Sequence, residues 1–130
     1  MNNKELIQEA LNYGIINRMG KHVRVGVVAA ALESYSGNIY TGVSIEAPCG
    51  MGFCAEHAAI AELLKNGESK IRKIVAIDSK SKRIMTPCGR CRELMRQIDD
   101  LNLDLTDVII SEEKAIKLKE LLPLPFVDPL

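Results

Sequence analysis

Residues 54–91 read CAEHAAIAELLKNGESKIRKIVAIDSKSKRIMTPCGRC. The stretch divides by residue type into three pieces. Cys54–Lys65 is rich in Ala, Glu and Leu, which favour helix, and Asn66-Gly67 supplies a C-terminal stop. Ile71–Asp78 is β-branched and mostly apolar, as a buried strand is. Thr86-Pro87 opens another helix over Cys88–Asp99, with Pro near its first turn. Helix, strand and helix in succession predict an α/β layered fold.

The flanks extend this pattern. Val23–Leu32 is nearly all apolar and reads as a buried strand, Ser34–Asn38 carries turn chemistry, and Ile39–Ile45 reads as a second strand, which makes a hairpin. Ala47–Gly52 contains Pro48, Gly50 and Gly52 and reads as loop. Leu6, Ile7, Ala10, Leu11, Ile15 and Met19 recur at helical spacing and predict a helix over residues 3–19. Downstream, Leu105–Ile110 reads as a strand. Ser111 with Glu112 and Glu113 then caps a last helix through Leu122, ended by Pro123 and Pro125. The order α-β-β-α-β-α-β-α over 130 residues predicts one domain spanning residues 1–130. A chain of that length buries a core without help from disulfides or a structural metal.

Composition weighs against several functions. Lys+Arg and Asp+Glu are 17 each, so the formal net charge is zero. No overall field draws such a chain to nucleic acid or to an anionic membrane. Two Phe, three Tyr and no Trp leave little for stacking bases. The basic residues between 70 and 83 interleave with strand positions and read as a solvated face. The N-terminus lacks a secretory pattern, and no apolar run approaches the ~20 residues of a membrane helix, so the expected location is the cytoplasm. In a reducing compartment, four cysteines point to metal binding, catalysis or burial before disulfides.

Three of those cysteines fall at predicted loop-to-helix junctions. Cys88 and Cys91 lie on the same side of a first helical turn. Cys54 precedes Cys88 with 33 residues between them. Helix N-termini favour thiolates, and three thiolates form a soft set suited to Zn²⁺. Three protein ligands leave a fourth position for a water that the metal acidifies. Glu56, two residues after Cys54, is placed to move protons to and from that water. The pattern C-A-E followed by P-C-x-x-C matches the zinc nucleobase deaminase signature in its three-cysteine form. The rival readings are a closed four-thiol structural site that adds Cys49, a dithiol redox pair at Cys88 and Cys91, and ordinary buried thiols.

At these residues the sequence resembles the small cytidine deaminase family, which includes the blasticidin-S deaminases. Val25-Gly26, Tyr40-Thr41-Gly42, Ile45-Glu46 and the segment Glu120-Leu121-Leu122-Pro123 with Phe126 follow the family order. The resemblance implies a three-layer α/β/α fold with a mixed sheet of about five strands, and a homotetramer. It implies zinc on Cys54, Cys88 and Cys91, Glu56 as proton shuttle, and Glu46 in contact with a ribose hydroxyl. Backbone groups at Ala55 and Pro87 are expected at the exocyclic amine, and Ser44, Val23 and Phe126 at the substrate. The chain departs from the usual pattern at Val23, Ser44, Ala47 and His57, where an aromatic, two Asn and an Arg are common. Ile45-Glu46-Ala47 and Cys91-Arg92-Glu93 look more like bacterial blasticidin-S deaminases.

The expected reaction is hydrolytic deamination of a cytosine-type free nucleoside, with blasticidin S as the alternative substrate. A zinc-stabilised protein without turnover is the alternative of another class. Three thiolates on Zn²⁺ sum to a net negative charge, so something should offset it. The helix dipoles are one source, and His57, Arg90 and Arg92 are candidate donors, with His57 expected to donate to a ligand sulfur.

Overall fold

The computed structural model describes residues 1–127. The elements run α1 (Asn3–Asn12), β1 (Asn17–Met19), β2 (Val23–Ser34), β3 (Ile39–Glu46), α2 (Ala55–Lys65) and β4 (Ile71–Asp78). They continue with β5 (Ile84–Met85), α3 (Gly89–Ile98), α4 (Asn102–Leu105), β6 (Asp107–Ile109), β7 (Ala115–Lys117) and α5 (Leu118–Leu121). β2 pairs antiparallel with β1, β3 and β4, β4 pairs antiparallel with β5 and parallel with β6, and β6 pairs antiparallel with β7. The sheet is therefore mixed.

Strand alternation sorts the core into two layers. Ala29, Ala31, Val75 and Ile77 bury against Leu6, Ile7 and Ala10 of α1. Leu32 and Ile74 turn the other way and bury with Ala59, Ile60 and Leu63 of α2 and Cys91 and Met95 of α3. Helices thus cover both faces, giving the expected three-layer α/β/α arrangement. No helix among the described residues is long and apolar enough to cross a membrane.

Four details differ from the expectation. The mixed sheet has seven strands, somewhat more than the expected five or so, because short pieces such as β1 and β5 add to it. The first helix ends at Asn12 and not at residue 19. Gly14 weakens its continuation, and Asn17–Met19 pairs with the start of β2, leaving Ile15 and Met19 exposed. The predicted helix over residues 111–122 is a turn, a strand and a single helical turn. Ile110 N donates to Lys114 O at 3.0 Å, and the chain folds back so that β7 covers the edge of β6. That pairing satisfies strand groups that a helix would have left open. The strand predicted at Leu105–Ile110 is shorter, since Leu105 closes α4.

One irregularity shapes the site. Val25 pairs with Ile45 but Ala29 pairs with Val43, so β2 bulges by two residues. Gly26 sits in the bulge at φ +80, with no room for a side chain beside the Ile15 carbonyl. The freed backbone groups find new partners. Val28 N donates to Ser44 Oγ at 3.0 Å, Ser79 N donates to Val27 O at 2.9 Å, and Ser79 Oγ donates to Gly26 O.

Candidate active site

Two helix starts meet at the end of the sheet. Cys54 is the N-cap of α2 and Cys88 the N-cap of α3, both with extended backbone. Cys91 lies in the first turn of α3 and is buried. The start of α2 comes close to the sheet because only small side chains intervene: Ala30, Ala55 and Ala76 form one buried cluster. Arg92 ties down the start of α3, donating from Nε to Pro87 O at 2.7 Å and from Nη1 to Leu121 O at 3.0 Å.

The sulfurs of Cys54, Cys88 and Cys91 lie within 4.8 Å of one another, and those of Cys54 and Cys88 are 3.5 Å apart. Zn–S bonds of ~2.3 Å at tetrahedral angles require sulfurs about 3.8 Å apart. The trio fits a soft tetrahedral ion with little movement. Cys49 is exposed on the loop before α2 and lies outside the trio, which disfavours a closed four-thiol site.

Without a metal, the surroundings favour ionisation of one thiol of the trio and oppose it at the other two. Burial raises the Cys54 thiol. Burial, then the Glu56 carboxylate, pushes Cys91 up as well. Burial opposes ionisation of Cys88 too, but the Cys91 N–H, the Cys54 and Cys91 thiols and the Arg90 N–H outweigh it, and its pKa falls. A soft dication displaces the remaining thiol protons.

Glu56 is 5% exposed. Burial raises its pKa, partly offset by its own backbone N–H. That shift moves a carboxyl toward the range in which it both accepts and donates protons near neutral pH. Glu56, Cys54 and Cys88 line a cavity of about 330 Å³ whose wall also includes Ser44, Glu46, Ala55 and Arg90. That is the lower end of the size of a small-ligand site. Pro87 borders a narrower space behind it, also beside Glu56.

Other expected site residues are placed differently. Val23 does not line this cavity; it pairs with Met19 at the start of β2. Phe126 is 57% exposed, and its N–H donates to Glu93 on the outer side of α3. The His57 ring stacks on Phe53 with centroids 4.6 Å apart, and its Nδ1 is buried without a partner among the described residues. The expected bond from His57 to a sulfur is not among its contacts. Arg92 likewise reaches backbone carbonyls and not sulfur.

Val28, Phe53, Met85 and Thr86 also line the cavity and were not anticipated from sequence. Phe53 arrives through a bridge in which Phe53 and Ile45 exchange backbone hydrogen bonds at 3.0 Å each. Gly52 beside it hints at that close approach, since a side chain there would meet the Ile45 carbonyl.

The comparisons with known proteins agree with this geometry. The family model described as cytidine and deoxycytidylate deaminase zinc-binding region matches residues 1–103. Blasticidin-S deaminase of Bacillus cereus is 36% identical over 109 residues, covering 76% of this chain and 76% of that protein. Cytidine deaminase of Halalkalibacterium halodurans is 30% identical over 124 residues, covering 86% of this chain and 90% of that protein. The crystal structure of cytidine deaminase from Mycobacterium tuberculosis has a TM-score of 0.79 at 22% identity over 98% of each chain, a likeness of fold. Matched by that family model over most of its length and by relatives at 30% and 36% identity, the chain belongs to the cytidine and deoxycytidylate deaminase family.

Proposed function

We propose that this protein hydrolytically deaminates a cytosine-type free nucleoside, converting cytidine or deoxycytidine to the uridine counterpart and ammonia. The observation that carries the reading is the convergence of Cys54, Cys88 and Cys91 within 4.8 Å beside a buried Glu56 that lines the same cavity. When bound to the three thiolates, zinc supplies an acidified water as nucleophile for C4 of the ring.

Glu56 takes the proton that water gives up and delivers it to N3 of the cytosine ring. It then takes the proton of the new C4 hydroxyl and passes it to the amine, so that the C4 carbonyl forms as the C–N bond breaks and ammonia leaves neutral. Its raised pKa suits both directions. Backbone groups at Ala55 and Pro87 border the exocyclic amine. Pro87 O has one lone pair taken by Arg92 and a second available. Ser44 accepts from Val28 N and keeps its own hydroxyl proton for the substrate. Glu46 accepts a sugar hydroxyl. The apolar side chains exposed at Met19, Met51 and Phe126 support assembly into a homotetramer, in which Phe126 approaches a neighbouring subunit. Light scattering of the purified protein checks the oligomer number. The free thiols suit a reducing cytoplasm.

The test is turnover by the zinc-loaded protein, followed by ultraviolet absorbance, on cytidine, deoxycytidine and blasticidin S. The last is included because of the Bacillus cereus relative. Glu56→Gln should lower kcat by at least about 10²-fold while zinc content is unchanged. Normal turnover in that variant would remove Glu56 from the mechanism. No turnover of any substrate by fully loaded protein would favour a structural zinc site.

A further inference from the structure

The hairpin of β2 and β3 sets Arg24 directly opposite Glu46 as register partners. Glu46 lines the cavity at the last position of β3. The Arg24 guanidinium reaches it from the strand side, with Nε 2.7 Å and Nη2 2.5 Å from the same oxygen, Oε2. Arginine commonly grips both oxygens of a carboxylate. Here the fork closes on one, and Oε1 has no hydrogen-bond partner among the described residues. Arg18, the register partner of Arg24 in β1, does not compete for Glu46; its Nη1 donates to Lys21 O at 3.2 Å.

We infer that Arg24 is a positioning residue for substrate recognition: by holding Oε2 it fixes the Glu46 carboxylate so that Oε1 is presented to a sugar hydroxyl. The inference rests on the reading of this cavity as a nucleoside site. The side chains of Arg24 and Glu46 are 49% and 46% exposed, and exposed pairs contribute little to stability. The effect of the pair is on freedom. A solvated glutamate samples many rotamers, and ordering it on binding weakens affinity. A glutamate already clamped at one oxygen has lost that freedom before the substrate arrives. Its charge is also partly compensated, which suits a neutral O–H donor.

The experiment compares cytidine with 2′,3′-dideoxycytidine, which lacks both hydroxyls, on zinc-loaded wild type, Arg24→Gln, Arg24→Lys, Glu46→Ala and the double variant Arg24→Gln/Glu46→Ala. Arg24→Gln should raise KM for cytidine about three- to tenfold, from the ordering of one side chain, with kcat within about twofold and the melting temperature little changed. Its KM for the dideoxynucleoside should match wild type. Arg24→Lys should recover part of the loss, and Arg24→Gln should add nothing once Glu46 is Ala. An equal KM change for both nucleosides would overturn the inference. So would an unchanged cytidine KM in Arg24→Gln when Glu46→Ala raises it. If Glu46→Ala leaves the cytidine KM unchanged, or wild type does not deaminate cytidine, the nucleoside-site reading itself falls, and the role of Arg24 falls with it.

Discussion

Gly42→Ala is expected to damage the metal site from a position that touches no ligand. Gly42 lies on β3 and faces α2. A Cβ placed there would stand 2.5 Å from Ala59 N and 2.6 Å from both Ala55 O and the Ala58 Cβ. Two of those atoms are helix backbone, which no rotamer change can move aside. Going from 2.5 Å to the 3.4 Å of ordinary contact requires α2 to withdraw by about 0.9 Å. Ala55 lies on that turn, so the shift passes to Cys54 and Glu56, while Cys88 and Cys91 belong to α3. Metal–ligand distances tolerate about 0.2 Å, so a divided trio binds zinc poorly. Overpacking of this kind costs about 1–3 kcal/mol. For a chain of this length that lowers Tm by about 4–11 °C. Thermal melts with and without zinc, and zinc competition against a chromophoric chelator, measure both effects. Zinc affinity should fall at least tenfold. A Gly42→Ala protein with native Tm and native zinc affinity would show that the approach of β3 to α2 does not set the metal geometry.

Further outcomes follow from other contacts. Arg92→Met removes two charge-assisted hydrogen bonds, to Pro87 O and Leu121 O. It should cost about 2 kcal/mol and weaken zinc binding, because the turn holding Cys88 loosens; native affinity in a competition assay would argue against that role. Hydrogen bonds from Tyr40 at 2.5 Å and Asn38 at 3.0 Å hold the Glu68 carboxyl at about 2, below the usual value of about 4.3. A depressed folded pKa contributes stability that is complete above the usual value and is lost as pH falls from about 4.3 toward 2. Tyr40→Phe should therefore flatten the acid loss in urea melts over that window, and an unaltered slope would count against the pairing. Chelation of zinc present at about 100 times its Kd should remove about 2.7 kcal/mol of stability, and Cys91→Ser should show no zinc-dependent gain. Identical melts with and without chelator in the wild-type protein would contradict a bound metal.

The three clustered thiols were legible because their signal is local. Cys54, Cys88 and Cys91 sit where helix formers begin, and Pro87 marks the second start, so residue type and spacing together placed each sulfur at a helix N-terminus. The same local rules failed at residues 15–19 and 111–122. Ile15 and Met19 have helical spacing, and Ser111 begins what looks like a capped helix. Both segments instead complete a sheet edge, and local propensity is too weak to resist hydrogen bonds offered by a neighbouring strand.

The sequence by itself determined the α/β class, the three thiols at two helix starts and the carboxylate in the first turn of α2. Those depend on short-range propensity and on the intrinsic chemistry of Cys and Glu. Only the tertiary structure decided what surrounds them. The bulge in β2 engages Ser44 and brings Val28 to the cavity, and the bridge from Ile45 carries Phe53 there. The register of the hairpin sets Arg24 against Glu46, and folding leaves Val23 and Phe126 outside the cavity of a single chain. Apart from Phe126, which lies beyond the last strand, these depend on strand register, and a slip of one residue would send every strand side chain to the other face. Register is settled by contacts between segments far apart in the chain, and residue spacing carries no direct record of them.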